Sequence, residues 1–360
     1  MKHIVLIYGG RSGEHEVSLR SGAFIYHNIK KCGHIPHPVG ISPEGIWYSQ
    51  DFTEEPEDIL PLVEDESRRI SLVPGRGIVT GNGSLLPCDV VFPVIHGTFG
   101  EDGTLQGLLE MMGLPYVGAN VQSSALGMDK VCTKEIWEKA GLPIVPYVRL
   151  TKADWADENL NRAAFFKECR HKLDFPLFIK PSRAGSSVGV SRADDESSFF
   201  TGIDKALAYD GEILIEKAVD AREIECSLLG NETPEVFGPG EIAPTHDFYD
   251  YEAKYIDPDG AALLIPAQID EKLTHEIRKT ALKAYRVLKL NGLSRVDLFL
   301  DKKSGRYYLN EVNTMPGFTS ISMFPMLCAA EGLEGPELIA KLIQLGEEEF
   351  TNKNKLNYHK

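Results

Sequence analysis

No CxxC pair and no Cys/His cluster of zinc spacing occurs in this chain, although it carries six cysteines (Cys32, Cys88, Cys132, Cys169, Cys226 and Cys328). Scattered in this way, they predict reduced, mostly buried thiols, not a disulfide framework or a zinc site. Positive charge is scarce: 38 Lys and Arg stand against 53 Asp and Glu, a formal net charge of −15 over 360 residues. Without a long basic run, general affinity for nucleic acid or an anionic membrane is not expected. Any phosphate must be held by a few placed lysines and backbone amides. No apolar run reaches membrane-spanning length, and MKHIVLIYGG at the N-terminus is cut short by glycine; a cytoplasmic protein is the expectation. The P-loop pattern GxxxxGK[ST] is absent, and the glycine-rich GGRSGEHEVSLRSG lacks the GxGxxG spacing of a dinucleotide turn. What remains is ordinary globular material, 42% hydrophobic and 25% charged, long enough for two or three compact units.

Residues 293–313 carry acids where a buried sheet should not. In SRVDLFL, strand alternation puts Arg295, Asp297 and Phe299 on one face and Val296, Leu298 and Leu300 on the other. A turn over residues 302–305 would pair Asp301 with Tyr307, and so set Asp297 opposite Glu311 and Arg295 opposite Asn313. The same alternation places Tyr307, Leu309, Glu311 and Asn313 on a common face. Opposed Cβ atoms lie roughly 4.5–5.5 Å apart, and two carboxylates that close repel unless a cation intervenes or one is protonated. With an amide alongside, the donors are all oxygen, which suits Mg²⁺ or Mn²⁺ better than zinc. On the hairpin alone a solvated face with Arg295 as counter-charge stays open beside the cation site.

From the N-terminus, residues 3–8 read as a buried parallel strand ending in Gly9-Gly10, followed by a helix start at Glu14-His15-Glu16-Val17-Ser18. Acids there can serve the helix dipole, or, if Glu16 and Ser18 face a cleft, a ligand beyond the strand ends. Residues 42–87 are polar and turn-rich and read as a peripheral elaboration. A second buried strand, 89–95, ends at His96 beside another glycine-rich turn, and residues 104–112 read as the next helix. SALGMDKVCTKEIWEKAG reads as one helix with Lys130 early in it. FPLFIKPSRAGSSVGVS is a strand ending in Lys180, then a Gly/Ser loop around Ser186 and Ser187 whose N–H groups could cover a phosphate. Two further strands, EILIEKAV and AREIECSLLGN, carry Glu216, Lys217, Glu223 and Glu225. Acids in such apolar strands need partners. Residues 239–262 read as a long binding loop bearing Lys254 and Tyr255, and residues 270–289 as a helix. Beyond the hairpin, NTMPGFTSISMFP presents the Gly317 amide as a donor for an oxyanion. An amphipathic helix follows, with TNKNKLNYHK as a frayed tail.

Taken in order, GG-S-E-EVS, HG-GEDGT-QG, MDK, KPS-GSSVGVS, IEK, FYDYEAKY, SRVD and NEVNTMPGFTS resemble the D-alanine–D-alanine ligases of the ATP-grasp superfamily, essentially end to end. The resemblance implies an α/β fold with α+β character in its central part. It implies three units: an N-terminal parallel-sheet unit (residues 1–118), a central unit (119–219) and a C-terminal catalytic unit (220–360), with nucleotide between the last two. It implies an ATP-dependent peptide ligase that joins two D-alanines through a D-alanyl acylphosphate for peptidoglycan precursors, acting as a homodimer. By motif match, Asp297, Glu311 and Asn313 would hold two Mg²⁺ ions, and Lys130 and Lys180 would contact nucleotide phosphates. Glu216, Lys217, Ala218, Val219 and Glu223 would line the adenine and ribose site, with Phe248 as its wall. Glu16 would hold the first substrate's ammonium, accompanied by Ser186 and Tyr255. Arg295 and the Gly317 amide would stabilise the oxyanion. Lys254 and Ser322 would lie near phosphate and the second carboxylate, and His96 on the substrate side.

Two departures stand out: Ala218 replaces an aromatic found in some relatives, and the shortest members lack the elaboration at 42–87. Tyr255 accompanies dipeptide formation in this family, which favours D-alanine as second substrate over D-lactate or D-serine. A nicotinamide-dependent oxidoreductase would account for the first glycine turn, but not for the Gly/Ser loop or the acid-bearing hairpin.

Overall fold

A computed structural model describes residues 1–244 and 261–357. The N-terminal apolar run forms β1 (His3–Gly9), buried from Ile4 onward, as a parallel strand covered on both faces must be. α1 (His15–Lys31) leads to β2 (Ile35–Ile41), parallel to β1, and β3 (Trp47–Ser49) adds antiparallel at the edge. β4 (Ile70–Val73) and β5 (Gly77–Thr80) make a separate two-stranded sheet. β6 (Val90–Pro93) then closes the order β3-β2-β1-β6, and α2 (Thr104–Met112) follows. The elaboration is less peripheral than its polarity suggests: Tyr48, Leu60, Ile70 and Ile78 from it are buried. Spaced singly among polar residues, these anchors leave no periodic signal.

The second sheet is antiparallel. α3 (Val121–Met128) and α4 (Lys130–Lys139) replace the single expected helix. The break is at Asp129, whose backbone is extended and whose Oδ1 accepts the Cys132 N–H at 3.0 Å, an N-cap that starts a new helix. β7 (Tyr147–Thr151), α5 (Lys152–Ala156), α6 (Arg162–Leu173), β8 (Leu177–Pro181), β9 (Ser191–Ala193), α7 (Glu196–Ala206) and β10 (Glu212–Lys217) complete this unit, with strand order β7-β10-β8-β9. β8 and β9 are the arms of the Gly/Ser hairpin.

The third sheet runs β13-β12-β11-β14-β15. It contains β11 (Ala221–Leu229), β12 (Glu235–Pro244), β13 (Ala261–Leu264), α8 (Glu271–Val287), β14 (Leu293–Asp301) and β15 (Tyr307–Asn313), followed by α9 (Met323–Ala330) and α10 (Gly335–Lys353). The stretch expected as one loop from 239 to 262 is instead strand at both ends, since β12 runs on to Pro244 and β13 begins at Ala261. Phe248, Lys254 and Tyr255 lie outside the described residues. Two helices pack away from their neighbours in sequence. Trp137 of α4 is fully buried in the core of the third sheet, with Nε1 donating to the Ala284 carbonyl at 3.3 Å. Leu338, Ile339, Leu342 and Ile343 of α10 share one core with Ile4, Leu6 and Phe92 of the first sheet. The tail expected to fray is helical through Lys353. Cuts after residues 118 and 219 fall between sheets, and the second sheet keeps a core of its own, but two cores mix residues of different units.

Candidate active site

Across β11, β14 and β15 the ladder sets Glu225, Asp297 and Glu311 in one row and Ser227, Arg295 and Asn313 in the next. The expected pairs, Asp297 with Glu311 and Arg295 with Asn313, are present, but the turn does not produce them in the expected way. Leu300, not Asp301, pairs with Tyr307, and Leu298 pairs with Leu309; the register then shifts at Asn310 so that Glu311 meets Asp297. One extra residue on β15 is a β-bulge, and it also switches faces. Leu309 is fully buried and packs with Leu298 in the core, while Glu311 and Asn313 stand on the other side with Asp297. Leu309 therefore does not share a face with Glu311.

On that side, Arg295 binds Asp297 through two bonds of 2.7 Å (Nε to Oδ1, Nη2 to Oδ2), and its Nε lies 2.9 Å from Glu225 Oε2. The Asn313 amide donates to Asp297 Oδ2 at 2.8 Å. Lys130, the first residue of α4, lies 3.3 Å from Glu311 and donates to the Ala184 carbonyl at 3.0 Å, so it joins the acid row to the Gly/Ser loop. Asp129 fixes that lysine from behind, because its Oδ1 also accepts from Ser182 Oγ at 2.7 Å.

Lys180 and a lysine that sequence reasoning missed, Lys134, flank Glu216 at 2.6 and 2.7 Å. Lys134 and Glu216 are almost fully buried. Burial alone would raise the Glu216 carboxyl, but the two ammonium groups outweigh it and hold the value down at about 2. Burial pushes Lys134 down despite Glu216, whereas Lys180, also opposed by burial, is held up by the same carboxylate. Lys134 could have been found, since it lies one helical turn after Lys130 and on its face. At the end of β10 the Lys217 and Ala218 N–H groups are taken by the carbonyls of Pro146 (3.2 Å) and Pro176 (2.9 Å). That strand end thus offers side chains and carbonyls rather than those two amides. Val219 and Glu223 are half-buried beyond it.

The partner of Ser186 is Glu14, not Glu16: Ser186 Oγ donates to Glu14 Oε1 at 2.6 Å. Glu16 is exposed in the first turn of α1, whereas Glu14, just before the helix, faces the Gly/Ser loop. Space is cleared for it by two glycines, since a Cβ on Gly97 or Gly185 would lie 2.4 or 2.9 Å from Glu14 Oε2. Ser186 and Ser187 take the left-handed backbone, φ 49° and 58°, a strained conformation of the kind found at ligand clamps. Ser18 faces no cleft; it is buried and bonds the backbone of Gly9 and Val94. His96 is buried too. Its Nδ1–H donates to the Met315 carbonyl at 2.9 Å, and Ser21 Oγ lies 2.9 Å from its Nε2. Gly317 is half-buried in the following loop, and Ser322 turns back to accept the Thr319 N–H at 3.0 Å.

Three lysines, a strained hydroxyl loop and paired acids thus come from the second and third units, and a carboxylate of the first unit bonds that loop. A model of the "D-ala D-ala ligase N-terminus" matches residues 3–119, and one of the "D-ala D-ala ligase C-terminus" matches residues 136–344. The chain belongs to the D-alanine–D-alanine ligase family. Members of that family are ATP-dependent ligases with the ATP-grasp fold. A D-alanine–D-alanine ligase of Treponema denticola is 48% identical over 363 residues, 98% of each chain. Among solved structures, the D-alanine–D-alanine ligase of Coxiella burnetii superposes with a TM-score of 0.83 at 31% identity, covering 99% of this chain and 98% of that one. The VanG D-Ala:D-Ser ligase of Enterococcus faecalis gives 0.81 at 34%, covering 96% and 99%.

ATP-dependent ligases of this family typically use a divalent metal. Among the described residues no three His, Cys, Asp or Glu side chains converge to hold an ion by themselves. The side chains that do lie together, the Asp297 and Glu311 carboxylates with Asn313 beside them, nevertheless fit Mg²⁺, which usually takes one or two protein carboxylates and fills its octahedron with phosphate and water oxygens.

Proposed function

We propose that this chain joins two D-alanines to D-alanyl-D-alanine for peptidoglycan precursors. The first D-alanine's carboxylate takes the terminal phosphoryl group from ATP, and ADP leaves. The second amine then attacks the acylphosphate carbon, and phosphate and one proton depart. A carboxylate is a poor electrophile until it is phosphorylated, so the protein's task is to position reactants and neutralise charge.

The observation that carries this reading is the Glu14–Ser186 bond, which ties the first unit to the Gly/Ser loop that Lys130 in turn joins to the row of Asp297 and Glu311. A carboxylate held there can take the ammonium of a first amino acid, with Tyr255 as a further companion. Arg295 and the Gly317 amide face the charge that develops on the reacting carboxyl oxygen. Lys130 and Lys180 hold nucleotide phosphates, and residues 216–219 with Glu223 and Phe248 hold the base and ribose. Lys254 and Ser322 complete the phosphate and second-carboxylate contacts. Asp297, Glu311 and Asn313 would hold Mg²⁺, as two ions; Mn²⁺ suits the same donors. When bound, the metal neutralises phosphate charge and orients it for in-line transfer. A homodimer in the cytoplasm belongs to the same reading, and light scattering would read the assembly directly.

D-Serine as second substrate is the second reading, because one structural relative is a D-Ala:D-Ser ligase. The test is ADP release and product analysis with D-alanine, L-alanine, D-lactate and D-serine in parallel. D-Alanine alone should support full turnover and L-alanine none. Preference for D-serine or D-lactate when D-alanine is also present would overturn the choice of second substrate.

A further inference from the structure

The Gly317 loop is not held by the sheet it follows. Met315 has both of its backbone groups bound by one turn of the first unit: its N–H donates to Glu101 Oε2 at 2.8 Å, and its carbonyl accepts from His96 Nδ1 at 2.9 Å. Three residues later in the loop, on the far side of Gly317, the Phe318 N–H donates to Ser21 Oγ at 3.2 Å. Because Nδ1 must carry the His96 proton to reach a carbonyl, Nε2 is the acceptor in the neutral ring, and Ser21 must give it its hydroxyl proton. The chain of bonds is therefore directional: Phe318 N–H to Ser21, Ser21 to His96, His96 to Met315.

Glu101 closes the other side. Its Oε1 accepts the Gly97 N–H at 3.0 Å, and Thr314 Oγ1 lies 3.3 Å from Oε2. The same turn sets Glu14, since the His96 carbonyl accepts from Ser12 Oγ at 2.7 Å and Ser12 Oγ accepts the Glu14 N–H at 3.0 Å. A carboxylate half-hidden from water and bonded to two loops from different units has no need of that geometry for solubility. Burial, then the neighbouring Glu14, push Glu101 up to about 7, and the bonds from Gly97, Met315 and Thr314 oppose that shift by favouring the carboxylate.

We infer that Glu101, with His96 and Ser21, forms a clasp by which the first unit sets the position of the Gly317 amide relative to Glu14. They are positioning residues and touch no substrate. His96 is thereby a fixed strut rather than a substrate contact, and two sites on different sheets are indexed to one turn, residues 96–101. The catalytic consequence rests on the oxyanion reading of Gly317 given above; the clasp itself does not.

Glu101→Gln keeps the shape but faces one of the two N–H groups with an amide donor. With full-length enzyme, ATP and D-alanine, kcat should fall about 10- to 100-fold, the scale of a misplaced catalytic group. The KM for ATP should stay within about twofold, and inhibition by a tetrahedral phosphinate analogue of the dipeptide should weaken in step with kcat/KM. Amide hydrogen exchange at Met315 should quicken while the melting temperature holds. Unchanged kcat, or a loss shared equally by the ATP KM and the melting temperature, would overturn the clasp as a positioning device. Ser21→Ala, which removes only a hydroxyl, provides the same test should the first variant misfold: exchange at Phe318 must quicken, and unaltered exchange refutes the proposal. If wild-type enzyme did not ligate D-alanine at all, the functional reading would fail while the exchange measurements still judged the clasp.

Discussion

Glu14 and Glu16 are the same residue type two positions apart, and at about 100° per helical residue they point to nearly opposite sides. Which one faces the cleft depends on where the helix begins, and a start at His15 leaves Glu14 outside it, turned toward residues 185–186. Helix ends are the least legible part of a sequence, which is why the expected companion of Ser186 was Glu16 while the observed one is Glu14. The two carboxylates can be told apart. Glu14→Gln should lower kcat/KM for D-alanine about 10- to 100-fold, equivalent to the 1.5–3 kcal/mol of a hydrogen bond to a charged group. Glu16→Gln should leave it within about twofold, as exposed positions usually do. Steady-state kinetics on the pair decides it, and equal losses would return Glu16 to the site. Lys134 and Glu101 were missed for another reason: each looks like an ordinary surface charge until a partner distant in sequence is known. Glu101 needs Met315, 214 positions away.

At the scale of elements, β1, β8, β10, β11, β14 and β15 were read from their apolar runs or alternation and α2 from its period, whereas β2, interrupted by two prolines, went unread. What failed were interruptions. Neither the bulge at Asn310 nor the break at Asp129 changes the hydrophobic pattern enough to be seen, because each adds or redirects one polar residue. The acid pair was located correctly although the ladder between turn and pair was not, since a turn offset and a bulge cancelled. The break at Asp129 matters for chemistry, because it makes Lys130 the first residue of α4 and not a mid-helix side chain. Asp129→Ala would remove both the N-cap and the Ser182 anchor. Loss of about 1 kcal/mol is expected from the cap, a small drop in melting temperature. The KM for ATP should rise several-fold beyond what that drop explains, because Lys130 and the loop at 182–185 are released together. A variant with the lower melting temperature but an unchanged ATP KM would show that the break serves folding alone.

For the whole molecule, composition and length pointed to several units, and the sheets follow that order along the chain. Two of the cores do not, because a helix can be assigned a buried face from its periodicity but not the partner it is buried against. α10 shows the consequence. Its apolar stripe, Leu338, Ile339, Leu342 and Ile343, lies fully buried against α1 and β6, more than 200 residues earlier in the chain. Asn28 of α1 meets the start of the helix, where a Cβ on Gly335 would come within 2.8 Å of its Oδ1. Removing large side chains such as these from a packed core costs about 2–5 kcal/mol each, and a whole domain has only about 5–15 kcal/mol of stability to lose. A fragment of residues 1–119, although it holds a complete four-stranded sheet, should therefore show no cooperative thermal transition by circular dichroism. The same fragment with residues 335–353 attached through a flexible linker should recover one. A cooperative transition in residues 1–119 alone would mean that the first unit is self-sufficient, and that α10 only fastens it to the rest.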